Sequence, residues 1–385
     1  MTELSAIAFQ QRLRAFMQSG DPFMVLRNGP NGFPVLATGE IQLHQNTADL
    51  KYENAYLLLS YDLKNTIEKL QTTSSDPFET PAIVRLLPNE EWFTKDWKSI
   101  FEGDGDEKLE VEILPRQSKS SYLESVSALQ EHIRLGDIYE VNYCTEFFSH
   151  TKVEDVFGLF MRLMRNSDAP FSGAFGMQGD FLLCGSPERF LRKTSTRLLS
   201  QPIKGTAPRG KTDSEDVQII EALRSNTKEV SENVMIVDLV RNDLSRLAKT
   251  GTVKVDELCG IYSFPTVHQM ISTVSCEVKE GIGLHDIIRA TFPMGSMTGA
   301  PKKRAMELID QNEHFARGWY SGSMGYVRSN GDFDLNVIIR SIRYKHRIHY
   351  LSYAVGSAIT AASIPEKEYE ECLLKALTME SAIHG

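Results

Sequence analysis

The chain has 385 residues, 41% of them hydrophobic and 24% charged, which is enough to bury one large core or two ordinary ones. Its formal net charge of −9 argues against nucleic acid or an anionic membrane surface as the partner, because both require concentrated Lys and Arg. No apolar run approaches the roughly 18 residues of a membrane helix, and the five cysteines lack CxxC spacing. We therefore expect a cytoplasmic protein with reduced thiols that acts on a small diffusible molecule.

The N-terminal third combines short strand-like runs with loops rich in Gly, Pro and Asn, and it carries no motif that indicates chemistry. The acidic stretch at residues 103–108 is the best candidate for a boundary. We predict that residues 1–115 complete the fold and that residues 116–385 form the catalytic region.

From Ser118 onwards the predicted elements come in blocks of one kind. A helix is predicted at residues 121–135, strands follow, and a long acidic helix is predicted from residue 214 to about 248. Two later strands, residues 324–328 and 336–344, are linked by a Ser-Asn-Gly-Asp turn. This grouping predicts antiparallel sheets and an α+β fold rather than a doubly wound one.

Four glutamates fall into two pairs of identical spacing, Glu229 with Glu232 and Glu368 with Glu371, each inside a predicted helix. Residues three apart share one face of a helix. If the two helices faced each other, they would present the hard oxygen ligands that Mg²⁺ prefers. The same spacing is common on solvated helix faces, and from spacing alone that interpretation is the more frequent one.

Lys204 lies between a rigid Pro202 and Gly205, so the backbone around it is restricted. A lysine in a partly dry pocket can lose its proton near neutral pH and act as a nucleophile, although most lysines are solvated. Glu188 follows a strand and the Pro187 bend, a position that suits a general acid or base as well as an ordinary turn.

Three further features have both a structural and a functional interpretation. His268 lies in an apolar run, where a histidine is usually a satisfied core residue and sometimes transfers protons. The small-residue loop at residues 292–302 precedes a predicted helix and contains Ser296; it lacks the Walker A pattern, so ATP binding is not supported. Arg340, on the strand predicted at residues 336–344, is suited to a bidentate contact with a carboxylate.

Seven segments between about residues 118 and 382 together resemble the signatures of the chorismate-utilising enzymes, the family of anthranilate, aminodeoxychorismate, isochorismate and salicylate synthases. In chain order they read SPERF, PIKGTAPRG, SENVMIVDLVRNDLSRLA, VHQMISTV, GSMTGAPKKRAMELI, NVIIRSI and EYEECLLKA. The resemblance implies an α+β fold of two stacked, mainly antiparallel β-sheets flanked by helices, with the active site in a cleft.

The resemblance also implies a role for each candidate residue. Glu232 and Glu371 would bind Mg²⁺ directly, with Glu229 and Glu368 beside them or acting through water. Glu188 would be the general acid or base at the C4 hydroxyl of chorismate, and His268 would lie near the ring. The contacts to substrate would come from six residues: Ser296, Tyr320, Arg340, Gly356, Ser357 and Lys375.

Residue 204 distinguishes the branches of the family. Anthranilate synthases resemble this region with alanine in a PIAGT motif, whereas this chain carries PIKGT, as component I of aminodeoxychorismate synthase does. The resemblance implies that the Lys204 amine attacks C2 as the C4 hydroxyl leaves, after which ammonia adds at C4. Anthranilate synthase component I and isochorismate synthase are the alternatives. Glu140 lies near the place of the catalytic lysine of the water-adding branch, which argues against isochorismate synthase, and its own role stays open.

The chain contains no GxCLGxQ glutaminase motif. The resemblance therefore implies that ammonia comes from solution or from a separate glutamine amidotransferase subunit. The expected partners are thus chorismate, ammonia and that subunit.

Overall fold

The computed structural model describes residues 1–102, 108–265 and 267–385. Most of the predicted boundary at residues 103–108 therefore lies outside the described residues. The helices of the described part are α1 (Ala6–Ser19), α2 (Leu63–Glu68), α3 (Lys119–Arg134), α4 (Val156–Ser167), α5 (Asp213–Ser225), α6 (Thr227–Ser245), α7 (Leu284–Thr291), α8 (Lys302–Asn312) and α9 (Pro365–His384). No helix among these residues is long and apolar enough to cross a membrane.

The strands of the described part are 2 to 11 residues long. In chain order they are β1 (Thr2–Glu3), β2 (Phe23–Leu26), β3 (Val35–His44), β4 (Ala55–Leu59), β5 (Ile83–Phe93), β6 (Leu114–Pro115), β7 (Glu140–His150), β8 (Gly173–Met177), β9 (Asp180–Cys184), β10 (Arg189–Thr194), β11 (Arg197–Gln201), β12 (Ile203–Pro208), β13 (Lys254–Ser263), β14 (Val267–Glu277), β15 (Gly299–Ala300), β16 (Ser323–Val327), β17 (Phe333–Asn336), β18 (Ser341–Lys345) and β19 (Tyr350–Ile359).

Hydrogen bonds join these strands into one long ladder. Its order is β13, β14, β11, β10, β17, β16, β4, β5, β3, β2, β8, β9, β18, β19 and β7, and all of these neighbours are antiparallel. Strand β12 also pairs with β14, strands β6 and β15 pair with β7, and β1 lies parallel to β5. The prediction of an α+β fold built on antiparallel sheet is confirmed.

The two stacked sheets of the prediction are two portions of this one ladder, folded against each other. A cluster of buried side chains from β2, β3, β8 and β9 packs together with side chains from β4, β5 and β16. Gly173 on β8 lies so close to β16 that an added Cβ would be 3.0 Å from the Met324 side chain, although the two strands are far apart in the ladder. The N-terminal strands therefore lie in the middle of the ladder, where they join its two portions.

The hairpin of β3 and β5 makes this connection. The first four residues of β3, 35–38, pair with β2. The first four residues of β5, 83–86, pair with β4. The register shifts between Thr38 and Gly39, where the ladder passes from one portion to the other. A Cβ atom at Gly39 would overlap the carbonyl oxygen of Leu87, so the crossing requires a residue without a side chain.

We therefore expect Gly39→Ala to lower the free energy of unfolding by about 1–3 kcal/mol, because the added methyl group forces the backbone of β5 to move. Urea-induced unfolding followed by tryptophan fluorescence would measure the change. Gly283→Ala is the matched control, since its Cβ would be 3.6 Å from Asp286, an ordinary contact. Equal stability of the two variants would contradict the assigned role of Gly39.

Helices cover the outer faces of the ladder. Helices α1, α3, α4, α8 and α9 pack on β7, β9, β18 and β19, and this core includes Trp92 of the N-terminal third. Helices α6 and α7 pack on β10, β11, β14 and β17. The five cysteines are free thiols, as predicted, and four of them are buried.

Two predicted elements are interrupted in the structure. The long acidic helix is two helices, because the Asn226 side chain accepts hydrogen bonds from the backbone of Lys228 and Glu229 and starts a new helix. The strand predicted at residues 336–344 is wrong over its middle, since β17 ends at Asn336, residues 337–340 lie outside the strands, and β18 begins at Ser341. Arg340, which we expected within it, lies between β17 and β18 with a left-handed φ of 49°.

Candidate active site

Strand β12, which pairs with β14 near one end of the ladder, faces β7 at the other end across a gap that we call the seam. Strand β12 and helix α6 form one side of the seam, and strand β7 and helix α9 form the other. An ion pair crosses it, in which Lys204 Nζ on β12 donates to Glu140 Oε1 on β7 at 3.0 Å. The two side chains are 10% and 1% exposed, so this contact lies in a largely dry environment.

The backbone around Lys204 is held in place as the sequence predicts. The register of β12 against β14 shifts between Ile203 and Thr206, and Gly205 has a φ of +93°. A side chain at this position would be strained and would lie 3.3 Å from Glu229 of α6. The Asn233 amide of the same helix donates to the Lys204 carbonyl at 3.4 Å. Lys204 is thus fixed between β14 and α6.

The sequence suggested that Lys204 could lose its proton near neutral pH, and the structure indicates the opposite for the substrate-free protein. Burial alone would lower the pKa of Lys204, but the neighbouring carboxylates of Glu140, Glu232 and Glu188 outweigh burial and raise it above the ordinary value. In the substrate-free protein this lysine therefore carries its proton. A nucleophilic amine at this position requires an acceptor for that proton, and Glu140 is in hydrogen-bond contact.

Glu188 lies beside this pair, just before β10. Its Oε1 accepts a hydrogen bond of 2.7 Å from the Ser296 hydroxyl, and both residues are buried. Burial raises the pKa of Glu188 to about 7, and the Ser296 hydrogen bond and the charges of Lys204 and Arg340 limit the rise. A carboxyl group with this pKa is suited to proton transfer near neutral pH.

Arg340 is held near Glu188 by its unusual backbone. Its carbonyl accepts a hydrogen bond of 3.0 Å from the Gly185 backbone, which ties the residue to the loop that carries Glu188. Burial lowers the pKa of Arg340, and the Glu188 charge opposes that effect. The Arg340 side chain thus approaches Glu188 from a turn between strands, whereas the sequence indicated a strand.

The four paired carboxylates meet where α6 and α9 approach each other. Lys228 Nζ lies 3.2 Å from Glu368 Oε1, 3.7 Å from Glu232 Oε1 and 3.9 Å from Glu371 Oε2. Lys375 contacts Glu371 at 2.7 Å and donates to the Gly356 carbonyl at 2.8 Å. Burial raises the pKa of Glu232 to about 7, against the charges of Lys204 and Lys228.

This carboxylate cluster has the donor chemistry for Mg²⁺ but not a preformed arrangement. No three His, Cys, Asp or Glu side chains in the described part of the chain lie close enough to hold a metal ion. However, Glu232 Oε1 and Glu368 Oε2 are buried and receive no hydrogen bond from the described residues. Buried oxygens of this kind need a cationic or hydrogen-bonding partner. The residues therefore fit a hard divalent cation once they draw together.

The remaining predicted residues lie in two places. Gly356 and Ser357 are on β19, and an added Cβ at Gly356 would lie 2.5 Å from the Cys144 sulfur, so this backbone is closely packed. The Ser357 hydroxyl is within 3.2 Å of the Tyr122 hydroxyl, in the core beneath α3. Tyr320 is also buried, with its hydroxyl 3.9 Å from Cys144.

His268 lies on β14, opposite Ala207, three residues along β12 from Lys204. Its Nε2 is 2.9 Å from Asp216 on α5, and its Nδ1 is 2.8 Å from the Ser263 hydroxyl. Both ring nitrogens are thus already engaged. Its contribution to catalysis stays a prediction.

The family model for chorismate binding enzymes matches residues 33–381, which is most of the chain. The chain belongs to the chorismate-binding enzyme family. The match begins within the N-terminal third and includes β3 to β5, which lie in the middle of the ladder of this chorismate-binding enzyme. It also covers every predicted site residue.

Relatives from two branches of the family are about equally similar. The chain is 40% identical over 263 residues to a probable chloroplastic aminodeoxychorismate synthase of Oryza sativa, an alignment of 68% of the chain and 29% of that protein. It is 37% identical over 266 residues to anthranilate synthase component 1 of Thermus thermophilus, or 69% of the chain and 57% of that protein. The aligned region is thus well under two thirds of either relative, and overall identity does not separate the branches.

The fold agrees with a solved structure of the family. Anthranilate synthase component I from Streptococcus pneumoniae superimposes with a TM-score of 0.74 and 22% identity, over 93% of this chain and 89% of that one. This likeness concerns the fold.

Two residues of the seam were missed or left without a role by the sequence analysis. Glu140 was noted only because it lies near the place of the catalytic lysine of the water-adding branch, and Lys228 was not singled out. The signal for Lys228 was present, since it precedes Glu229 and lies four residues before Glu232 on one helix face. Its contact with Glu368 depends on helix packing, which no local pattern indicates.

Proposed function

We propose that this chorismate-binding enzyme aminates chorismate at C4 and forms 4-amino-4-deoxychorismate. The observation that carries the proposal is Lys204, fixed by the backbone at the centre of the seam, 3.0 Å from Glu140 and next to Glu188. Amination at C4 can use a nucleophilic amine that first bonds to C2. An alanine at position 204 would instead leave C2 open to direct attack by ammonia. Residue 204 therefore supports the aminodeoxychorismate branch over the others.

The reaction we propose has two displacement steps. The neutral Lys204 amine forms a bond to C2 of chorismate while the C4 hydroxyl leaves as water, with its proton supplied by Glu188. Ammonia then forms a bond to C4, and the bond from C2 to Lys204 breaks. Glu140 first takes the proton of the Lys204 ammonium group, because it already accepts that proton in a hydrogen bond.

The charged groups of the seam would orient the substrate. Arg340 and Lys375 would pair with the carboxylates of chorismate, and Ser296, Tyr320, Gly356 and Ser357 would line the space around the ring. When bound by Glu232 and Glu371, with Glu229 and Glu368 beside them, Mg²⁺ would supply a positive charge that holds a substrate carboxylate.

Ammonia would be delivered by a separate glutamine amidotransferase subunit. The Thermus relative is called component 1, a name that implies a second component in that system. Ammonium salts should therefore support the reaction of this chain alone, whereas glutamine should support it only after an amidotransferase subunit is added.

The proposal is tested by supplying chorismate, Mg²⁺ and an ammonium salt. We expect 4-aminobenzoate to appear only after a lyase that removes pyruvate is added. Fluorescent anthranilate formed without a lyase would instead identify anthranilate synthase, the second candidate. The 37% identity to the Thermus enzyme is the observation that favours that candidate.

Glu232→Gln should raise the Mg²⁺ concentration needed for half-maximal activity by at least about tenfold, because a neutral amide oxygen is a weaker ligand than a carboxylate. Activity measured over a series of Mg²⁺ concentrations would show the change. Glu221→Gln, an exposed change on α5, is the control of equal charge. Full activity of the Glu232 variant at ordinary Mg²⁺ would contradict the ligand assignment.

A further inference from the structure

The ammonium group of Lys228 lies where three of the paired carboxylates converge. Its distances to oxygens of Glu368, Glu232 and Glu371 are 3.2, 3.7 and 3.9 Å, and these residues come from both helices that flank the seam. This ammonium group bridges α6 and α9. The carboxylates are thus gathered around a cation that belongs to the chain itself.

We infer that Lys228 occupies the cation position of the substrate-free protein and that a divalent cation must displace it. The inference rests on the proposed Mg²⁺ site. Mg²⁺ binds oxygen at about 2.0–2.1 Å, so its ligands must approach more closely than they do around an ammonium nitrogen. The two cations cannot share this space, because like charges at such a distance repel strongly in a partly buried environment.

Lys228 is able to leave without a change of fold. It lies in the first turn of α6, its side chain is 39% exposed, and among the described residues its ammonium group makes one hydrogen bond within normal distance, to Glu368. A lysine stem has four rotatable carbons and can carry its charge into solvent. The other lysine of the cluster is held more firmly.

Lys375 contacts the same cluster but is anchored differently. It donates to the Gly356 carbonyl at 2.8 Å as well as pairing with Glu371 at 2.7 Å. Its position is thus tied to the backbone of β19. When Lys228 leaves, the carboxylate oxygens of Glu232 on α6 and of Glu368 and Glu371 on α9 are left facing each other.

Displacement explains why the carboxylates are not arranged as a metal site. Four carboxylates and two ammonium groups form the cluster, so the formal charge is −2 when all are ionised (four negative, two positive). Lys228 lowers the repulsion among the carboxylates while no metal is bound. The same contact competes with the metal and therefore lowers its affinity.

The test uses the full chain stripped of metal, titrated with Mg²⁺ alone in a calorimeter. Lys228→Met should bind Mg²⁺ on the order of tenfold more tightly than the unchanged protein, because the competing cation is gone. Without metal, the same variant should unfold at a lower temperature, and added Mg²⁺ should raise that temperature by more than in the unchanged protein.

Lys367→Met is the matched control, since Lys367 is an exposed lysine on α9 next to Glu368. It removes the same charge, so a general electrostatic effect would appear in both variants. Lys228→Arg, which keeps the positive charge, should bind Mg²⁺ no more tightly than the unchanged protein and serves if the methionine variant does not fold.

The outcomes separate this inference from the proposed function. Equal or weaker Mg²⁺ binding by Lys228→Met, relative to the Lys367 variant, would overturn the displacement while leaving the metal site in place. Tighter binding by Lys228→Arg would overturn it as well. No Mg²⁺ binding by the unchanged protein would overturn both the metal site and the inference drawn from it.

Discussion

Lys204→Ala is expected to lower the rate of C4 amination by at least about 10³-fold, because the loss of a nucleophile removes the covalent step rather than slowing it. The measurement is the rate of 4-aminobenzoate formation with excess lyase, chorismate and ammonium. We also expect fluorescent anthranilate from this variant, since its motif becomes the PIAGT of anthranilate synthases and ammonia can reach C2.

Two other substitutions separate the nucleophile from the ion pair. Lys204→Arg keeps a positive charge opposite Glu140 but offers no comparable nucleophile, so it should lose as much activity as the alanine variant. Lys193→Ala, at a buried lysine of β10 that donates to Gly331, should not change the product. Undiminished C4 amination by Lys204→Ala would remove the nucleophile from the mechanism.

Glu188→Gln is expected to lower amination by about 10²–10⁴-fold, the usual contribution of a general acid. Burial raises the pKa of Glu188 from its ordinary range to about 7, so the group is protonated below pH 7 and ionised above it. Because the C4 hydroxyl needs a proton to leave, activity should fall as the pH rises through about 7. A rate profile over pH 5.5–8.5 is the measurement.

The Ser296 hydroxyl supplies an independent check of this assignment. Its hydrogen bond to Glu188 lowers the pKa of that carboxyl group, so Ser296→Ala should raise the pKa and move the decline in activity to higher pH. The glutamine variant at position 188 should lack this decline. If activity still fell through the same pH range in Glu188→Gln, the titrating group would be a residue other than Glu188.

Local chemistry predicted much of the fold. The Ser329 to Asp332 turn correctly indicated a hairpin after β16, although its second strand is β17 rather than the predicted residues 336–344. Grouped strands and helices correctly indicated an α+β class. The positions of the Glu-x-x-Glu pairs on helices were also predicted, since residues three apart define a helix face. Short-range patterns of this kind are set by neighbours in sequence.

The parts that were not predicted depend on contacts between distant segments. Arg340 lies between two strands with a left-handed φ and its carbonyl accepts a hydrogen bond from Gly185, and Asn226 starts a new helix through its side chain. The proton on Lys204 depends on Glu140, 64 residues away in the sequence. Lys228 meets Glu368 across 140 residues. Such pairs follow from packing, which a single sequence does not reveal.

The seam has a consequence for how substrate enters. The contacts between β12 and β7 sides described above are made by side chains, Lys204 with Glu140 and Lys228 with Glu368, while each strand keeps its backbone partners within its own end of the ladder. Separating the two sides therefore breaks these ion pairs and leaves the backbone hydrogen bonds between neighbouring strands intact. Opening the seam to admit substrate would thus cost side-chain ion pairs and no sheet hydrogen bond, and because Lys204 and Glu140 are 10% and 1% exposed, salt would weaken their contact far less than it weakens an exposed pair.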